Sequence, residues 1–113
     1  MNEVDPNGIS AKEPGSKLDA GKSPIYAGLI DYFPRACSAV AHVSDVGARK
    51  YTWKGWESVP NGVVRYSDAL VRHLVGASIE GPVDSETGLD HAAQVAWNAM
   101  ARLELILREK DVK

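Results

Sequence analysis

Glu80, Asp84 and Glu86 fall within seven residues of one another, and His73 and His91 flank them. Carboxylates crowded in this way repel unless a cation or hydrogen bonds compensate. A hard divalent ion such as Mg²⁺ or Mn²⁺ takes oxygen ligands and fills its other positions with water. The residues also admit structural readings. Asp84 or Ser85 can cap a helix, and Glu86 suits a first helical turn, where the macrodipole favours acids. A single histidine on an apolar seam is ordinarily a core residue, but two of them around a carboxylate cluster point to a site. Arg65, Asp68 and Arg72 are spaced for ion pairing along a helix, and Arg72 next to His73 is also placed to hold a phosphate.

The elements that must position these groups follow from periodicity. Tyr66, Leu70, His73, Ala77 and Glu80 advance by steps of four and three, so they share one face of a helix expected over residues 63–80. A second helix is expected from about 85 to 109, with Leu89, Ala92, Ala96, Met100, Leu103 and Leu107 on its apolar face. His91 and Asn98 are seven apart, nearly two turns, and share a face as well. A short link between the two helices makes them pack antiparallel or nearly so, gathering the histidines and carboxylates at one end. Val95 and Leu105 carry the apolar surface of the second helix further than one partner needs, which predicts an oligomer.

Upstream, Gly47 to Gly62 reads as a long loop carrying Arg49, Lys50, Tyr51, Trp53, Lys54 and Trp56. Aromatic rings beside cations can stack on a nucleobase while the cations meet phosphate; the same rings can equally close over the helices as a lid of core. A helix is expected from Pro34 to Val46, with Gly47 as its stop. A short helical piece should cover residues 24–33, with Ser23 as N-cap and Pro24 in its first turn. Gly21-Lys22 ahead of it can approach a phosphate or form a plain solvated turn, since the P-loop spacing is absent. Residues 1–18 are rich in Pro, Gly and charge, poor in bulky apolar side chains, and read as a flexible arm before a domain at 19–113.

The 113-residue length bounds the chain to one small domain of all-α class, a helical bundle with a long aromatic loop. A formal net charge of −2 gives no reason to expect a nucleic-acid partner or an anionic membrane surface. One cysteine, Cys37, excludes an internal disulfide and a cysteine-rich zinc site. No apolar run approaches the ~20 residues of a membrane span, and the first residues lack the order of a secretory signal. A cytoplasmic protein is expected.

Gly47-Ala48-Arg49-Lys50-Tyr51, Trp56, Tyr66…Ala69…Arg72-His73-Leu74, and Asp84-Ser85-Glu86-Thr87-Gly88…His91 with Asn98 together resemble the phage dATP/dGTP diphosphohydrolase family. That family looks related to the all-α, MazG-like nucleoside triphosphate pyrophosphohydrolases. The resemblance covers roughly residues 17–107. It implies a homo-oligomeric enzyme, a dimer or tetramer, that uses Mg²⁺ or Mn²⁺ to convert a purine deoxynucleoside triphosphate to monophosphate and pyrophosphate. Carried onto this chain, it puts Glu80, Asp84 and His91 in the metal region, with Glu86 as a further ligand or base. Lys22, Lys50 and Arg72 would hold phosphates, Tyr51 or Trp56 would face the base, and His73 and Asn98 would line the substrate cavity. The rival is a non-enzymatic helical interaction module with a polar seam that fixes register. A histidine–aspartate phosphohydrolase is less well supported, because the adjacent pair Asp90-His91 stands in reverse order.

Overall fold

The computed structural model describes residues 5–112. The chain is all-α and divides into two units, Met1–Pro34 and Arg35–Lys113. In the first unit, the described part of the 1–18 segment runs through turns. Asp5, 4% exposed, accepts backbone N–H groups of Asn7 and Lys17 at 2.7 and 2.6 Å. The Lys17 N–H, then that of Asn7, holds the Asp5 carboxyl below its ordinary value. Residues 1–4 of the expected arm, and Lys113 at the other end, lie outside the described residues. The helical piece expected over 24–33 is a π-helical turn, Tyr26–Ile30, closed by the Asp31 N–H on the Tyr26 carbonyl at 2.8 Å. Ile25 rather than Ser23 stands at its start, because the Ser23 carbonyl is already taken by the Ile25 N–H in a tight turn.

The second unit holds three α-helices: α1 (Pro34–Lys50), α2 (Gly62–Glu80) and α3 (His91–Val112). Gly47 does not stop α1. The glycine stays helical, the Tyr51 N–H bonds its carbonyl at 2.9 Å, and Arg49 and Lys50 occupy the last turn, where cations suit the helix dipole. The loop that follows is therefore shorter than expected, and a 3₁₀ turn, Gly55–Ser58, organises it. Asn61 precedes α2 in the left-handed region at φ 55°, which asparagine tolerates better than most residues.

The second helix of the pair begins later than its sequence suggests. Residues 81–90 form a compact turn instead of a first helical stretch from 85. Gly81 at φ 96° and Gly88 at φ 75° bend the chain through angles that other residues resist. Val83 and Asp90 pair across the turn in one antiparallel bridge, and the His91 N–H reaches back to the Pro82 carbonyl at 2.8 Å. His91 is consequently the first residue of α3, not a residue two turns inside it. Asp84 and Glu86 sit in the turn, where neither acts as a helix cap or first-turn acid.

The pair α2–α3 is antiparallel. Gly62 lies against Leu105, Ser67 bonds Arg102, and His73 meets His91, so one number falls as the other rises. Its interior inverts the expected polarity. The residues of α3 that step along the buried stripe are His91, Gln94, Asn98 and Ala101. The predicted apolar face points elsewhere: Met100, Leu103 and Leu107 are 52, 53 and 46% exposed. On α2, Val64, Val71, Val75 and Ile79 are likewise exposed. Among the described residues Ala101 is the one buried apolar side chain.

Apolar packing concentrates instead near the middle of the pair. Trp56, Tyr66 and Trp97 meet edge to face, with ring centroids 5.7 to 6.3 Å apart. The Tyr66 hydroxyl donates to the Trp56 carbonyl and the Trp97 indole N–H to Ser44 Oγ, both at 2.8 Å. These bonds tie the loop and α1 to the helix pair. Arg108 lies over the Trp56 ring at 5.4 Å and pairs with Glu57 and Glu104.

Candidate functional site

The turn 81–90 and the adjoining ends of α2 and α3 bring His73, Glu80, Asp84 and His91 together. Asp84 is 7% exposed and His91 4% exposed, while the His73 side chain keeps 21% of its surface in solvent. The two imidazoles face each other with Nδ1 atoms 3.0 Å apart, and Asp84 Oδ2 lies 3.8 Å from His73 Nδ1. On the far side of its ring, His91 Nε2 meets Glu80 Oε1 at 2.7 Å. His91 fits so closely under α2 because residue 76 is glycine: a Cβ there would stand 2.8 Å from the ring's Cε1.

Glu80 fixes the protons of this chain. Its carboxyl is held below the ordinary value, chiefly by the Ser85 hydroxyl and then by His91, so it is ionised and only accepts. The His91 Nε2–H therefore donates to it, and in the neutral ring Nδ1 keeps the lone pair. His73 must then donate its Nδ1–H to His91. Burial holds the His73 pKa below its ordinary value, against the pull of the nearby Asp84 charge. The His91 Nδ1 lone pair thus accepts the His73 Nδ1–H at the corner.

Asp84 is held as firmly. Its Oδ1 accepts the Glu86 N–H at 2.9 Å and its Oδ2 accepts Gln94 Nε2 at 3.1 Å. Burial pushes its pKa up, but the bonds from Glu86, Gln94 and Thr87 outweigh that and keep it below the ordinary value. Gln94 also donates to Thr87 Oγ1 at 3.2 Å and so clamps the turn to α3. Ligating atoms of His73, Asp84 and His91 all lie within 4.8 Å of one another, a separation at which one cation can be shared.

The other sequence candidates are distributed as follows. Glu86 is exposed on the turn and Arg72 is exposed on α2 beside His73. Asn98 is buried on the stripe below His91, its amide donating to the Gln94 carbonyl at 2.7 Å. Lys50 ends α1 and Tyr51 follows it, the ammonium standing 5.2 Å from the ring centroid. Lys22 belongs to the first unit, where its N–H closes a turn on the Asp19 carbonyl. Trp56 is in the aromatic cluster, and part of it lines an open pocket of about 210 Å³ with Val40, Ser44, Trp97, Met100 and Glu104. That concavity does not include the histidines. It lies along α3 from them, Trp97 following His91 by six residues, or about 9 Å of helix. Gln94, Thr87 and Gly76 were not legible as site residues, although Gln94 continues the helical stripe of His91 and Asn98 at steps of three and four.

The family described as dATP/dGTP diphosphohydrolase, N-terminal, matches residues 12–113. A "dATP/dGTP diphosphohydrolase" of Salmonella phage PMBT28 is 38% identical over 86 residues, covering 76% of this chain and 28% of that protein. The chain thus spans well under half the length of this curated relative. No solved structure matches.

Proposed function

The chain belongs to the dATP/dGTP diphosphohydrolase N-terminal family, and from that premise we propose that it hydrolyses a purine deoxynucleoside triphosphate of the dATP/dGTP class to the monophosphate and pyrophosphate. The observation that supports this reading most is the corner of half-buried His73 with buried Asp84 and His91, placed where a small helical core would ordinarily be apolar. A divalent ion at such a corner supplies neutralisation of the triphosphate and acidifies a water. His73, Asp84 and His91 would hold it, and Glu80, bonded to the far side of His91, would orient that ring. This reading moves His73 from substrate to metal and Glu80 from ligand to support.

In the reaction a water oxygen bonds the α-phosphorus while the bond from that phosphorus to the bridging oxygen breaks, and pyrophosphate departs. Glu86, exposed at the rim of the turn, would take the proton of the water. Arg72 and Lys50 would meet phosphate oxygens, and Asn98, buried on the stripe below His91, would support the floor of the site. For the base, Tyr51 offers an exposed ring and Trp56 an edge in the aromatic pocket. The exposed apolar stripes of α2 and α3 would be covered by copies of the same chain in a dimer or tetramer.

The test is release of pyrophosphate from a panel of deoxynucleoside triphosphates, with a divalent ion and with EDTA. The expected result is release from dATP and dGTP in the presence of the ion and none in EDTA. Absence of release across the whole panel would leave the helical interaction module as the better account.

A further inference from the structure

We infer that the His73–Asp84–His91 corner selects a transition ion of the Zn²⁺, Co²⁺ or Fe²⁺ class, binds Mn²⁺ less well and discriminates against Mg²⁺. This rests on the reading that a divalent ion is held there, and concerns which ion the residues fit. Mg²⁺ prefers an octahedral shell of oxygen and gives up its water reluctantly. The corner offers one carboxylate and two imidazoles, the donor set of borderline transition ions. Two metal–nitrogen bonds of about 2.1 Å place their nitrogens about 3.0 Å apart at an octahedral angle and about 3.4 Å apart at a tetrahedral one. The two Nδ1 atoms stand 3.0 Å apart, so the rings need shift by no more than a few tenths of an ångström to share an ion.

The surroundings of the corner favour the same ions. His91 presents Nδ1 inward because Glu80 retains the proton on Nε2, an outer partner that fixes tautomer and raises ligand basicity. His73 needs only to carry its proton on Nε2 instead of Nδ1, with no change of charge, and its partial exposure leaves water to receive that group. Asp84 is anchored by Glu86 and Gln94, so it meets an ion as a single charge in a fixed place. Glu80 is occupied behind His91, which leaves the corner poor in the oxygen donors that Mg²⁺ requires.

The decisive experiment is equilibrium binding to the full chain, stripped with chelator and dialysed, of Zn²⁺, Co²⁺, Mn²⁺ and Mg²⁺ each alone. Calorimetry gives the affinities, and visible absorption reports the Co²⁺ environment. The expected result is one ion per chain, with Co²⁺ and Zn²⁺ bound at least ~100-fold more tightly than Mg²⁺, in the order of transition-metal affinities. His73→Gln should lose the Co²⁺ absorption while keeping its helical circular dichroism. Mg²⁺ binding as tight as that of Co²⁺ overturns the inference in the wild-type chain alone, whatever the variant does. Unchanged Co²⁺ absorption in folded His73→Gln overturns it as well. Nucleotide turnover in the same samples separates the two readings. Turnover with no preference for transition ions overturns the inference and retains the function. Selective ion binding without turnover of any nucleotide supports the inference and overturns the function.

Discussion

Gln94 and Gly76 show how the corner is held at the scale of single residues. Gln94 is the neutral side chain that joins the turn to α3, through Asp84 and Thr87. Gly76 is the absence of a side chain that lets the His91 ring lie against α2. Gly76→Ala should gain about 1 kcal/mol of helix propensity and lose roughly 1–3 kcal/mol to overpacking, because the new methyl meets a ring that cannot move aside without leaving Glu80. Thermal melts should therefore show a net loss of about 0–2 kcal/mol, while ion binding weakens at least tenfold; unchanged binding would show that the ring position does not matter. The acid response has a fixed sign. His73 titrates below 6.5 when folded, so from that pH downward the unfolded chain takes up the proton more readily and stability falls. Glu80 and Asp84 are depressed below 4.5 and 3.8, so the stability they contribute is intact above those values and lost as pH falls through their folded values. All three act in one direction. Melting temperature of the ion-free protein should fall steadily from pH 7 to pH 4, and a rise anywhere in that range would contradict the charge assignments.

At the scale of elements, the helices and the faces of α2 were legible from periodicity, whereas the start of α3 and its buried face were not. Asp84 looks like a helix cap and Glu86 like a first-turn acid in sequence, and only the left-handed glycines and the Val83–Asp90 bridge show that the helix waits until His91. The face of α3 misleads for a related reason. Hydrophobic periodicity finds the apolar stripe, and here the apolar stripe is exposed while His91, Gln94 and Asn98 face α2. The aromatic loop answers to its reading as a lid of core, since Trp56 joins Tyr66 and Trp97, and Trp56 also lines an open pocket. Trp97→Ala removes the ring that contacts both others and the bond to Ser44, and should cost about 3 kcal/mol. Tyr66→Phe loses a single hydrogen bond and should cost about 1 kcal/mol. Denaturant unfolding distinguishes the two; equal costs would mean that the cluster does not hold the loop and α1 to the helix pair.

At the scale of the whole molecule, the second unit carries its apolar residues outside and its polar residues within. A chain of this size with one buried apolar side chain among its described residues has little core of its own. Copies that cover Met100, Leu103 and Leu107 would supply it. Light scattering at micromolar concentration should give a dimer or larger, and Leu103→Glu should shift it toward monomer with a lower melting temperature. A monodisperse, stably folded wild-type monomer would contradict the assembly. No helix among the described residues is long and apolar enough to cross a membrane, so these exposed stripes are too short or too polar for that use.

The measurement closest to the centre of the account is phosphorus NMR of dGTP incubated with the wild-type chain and with Asp84→Asn, each loaded with a divalent ion. Asparagine keeps the volume of Asp84 and one acceptor for the Glu86 N–H but turns its amide N–H toward the Gln94 amide, so stability should fall by about 1–3 kcal/mol. The wild-type chain should give dGMP and pyrophosphate in equal amounts, and the variant should slow that conversion by at least a hundredfold as ion binding weakens. Wild-type turnover to dGDP and phosphate, or undiminished pyrophosphate release by Asp84→Asn, would contradict the account.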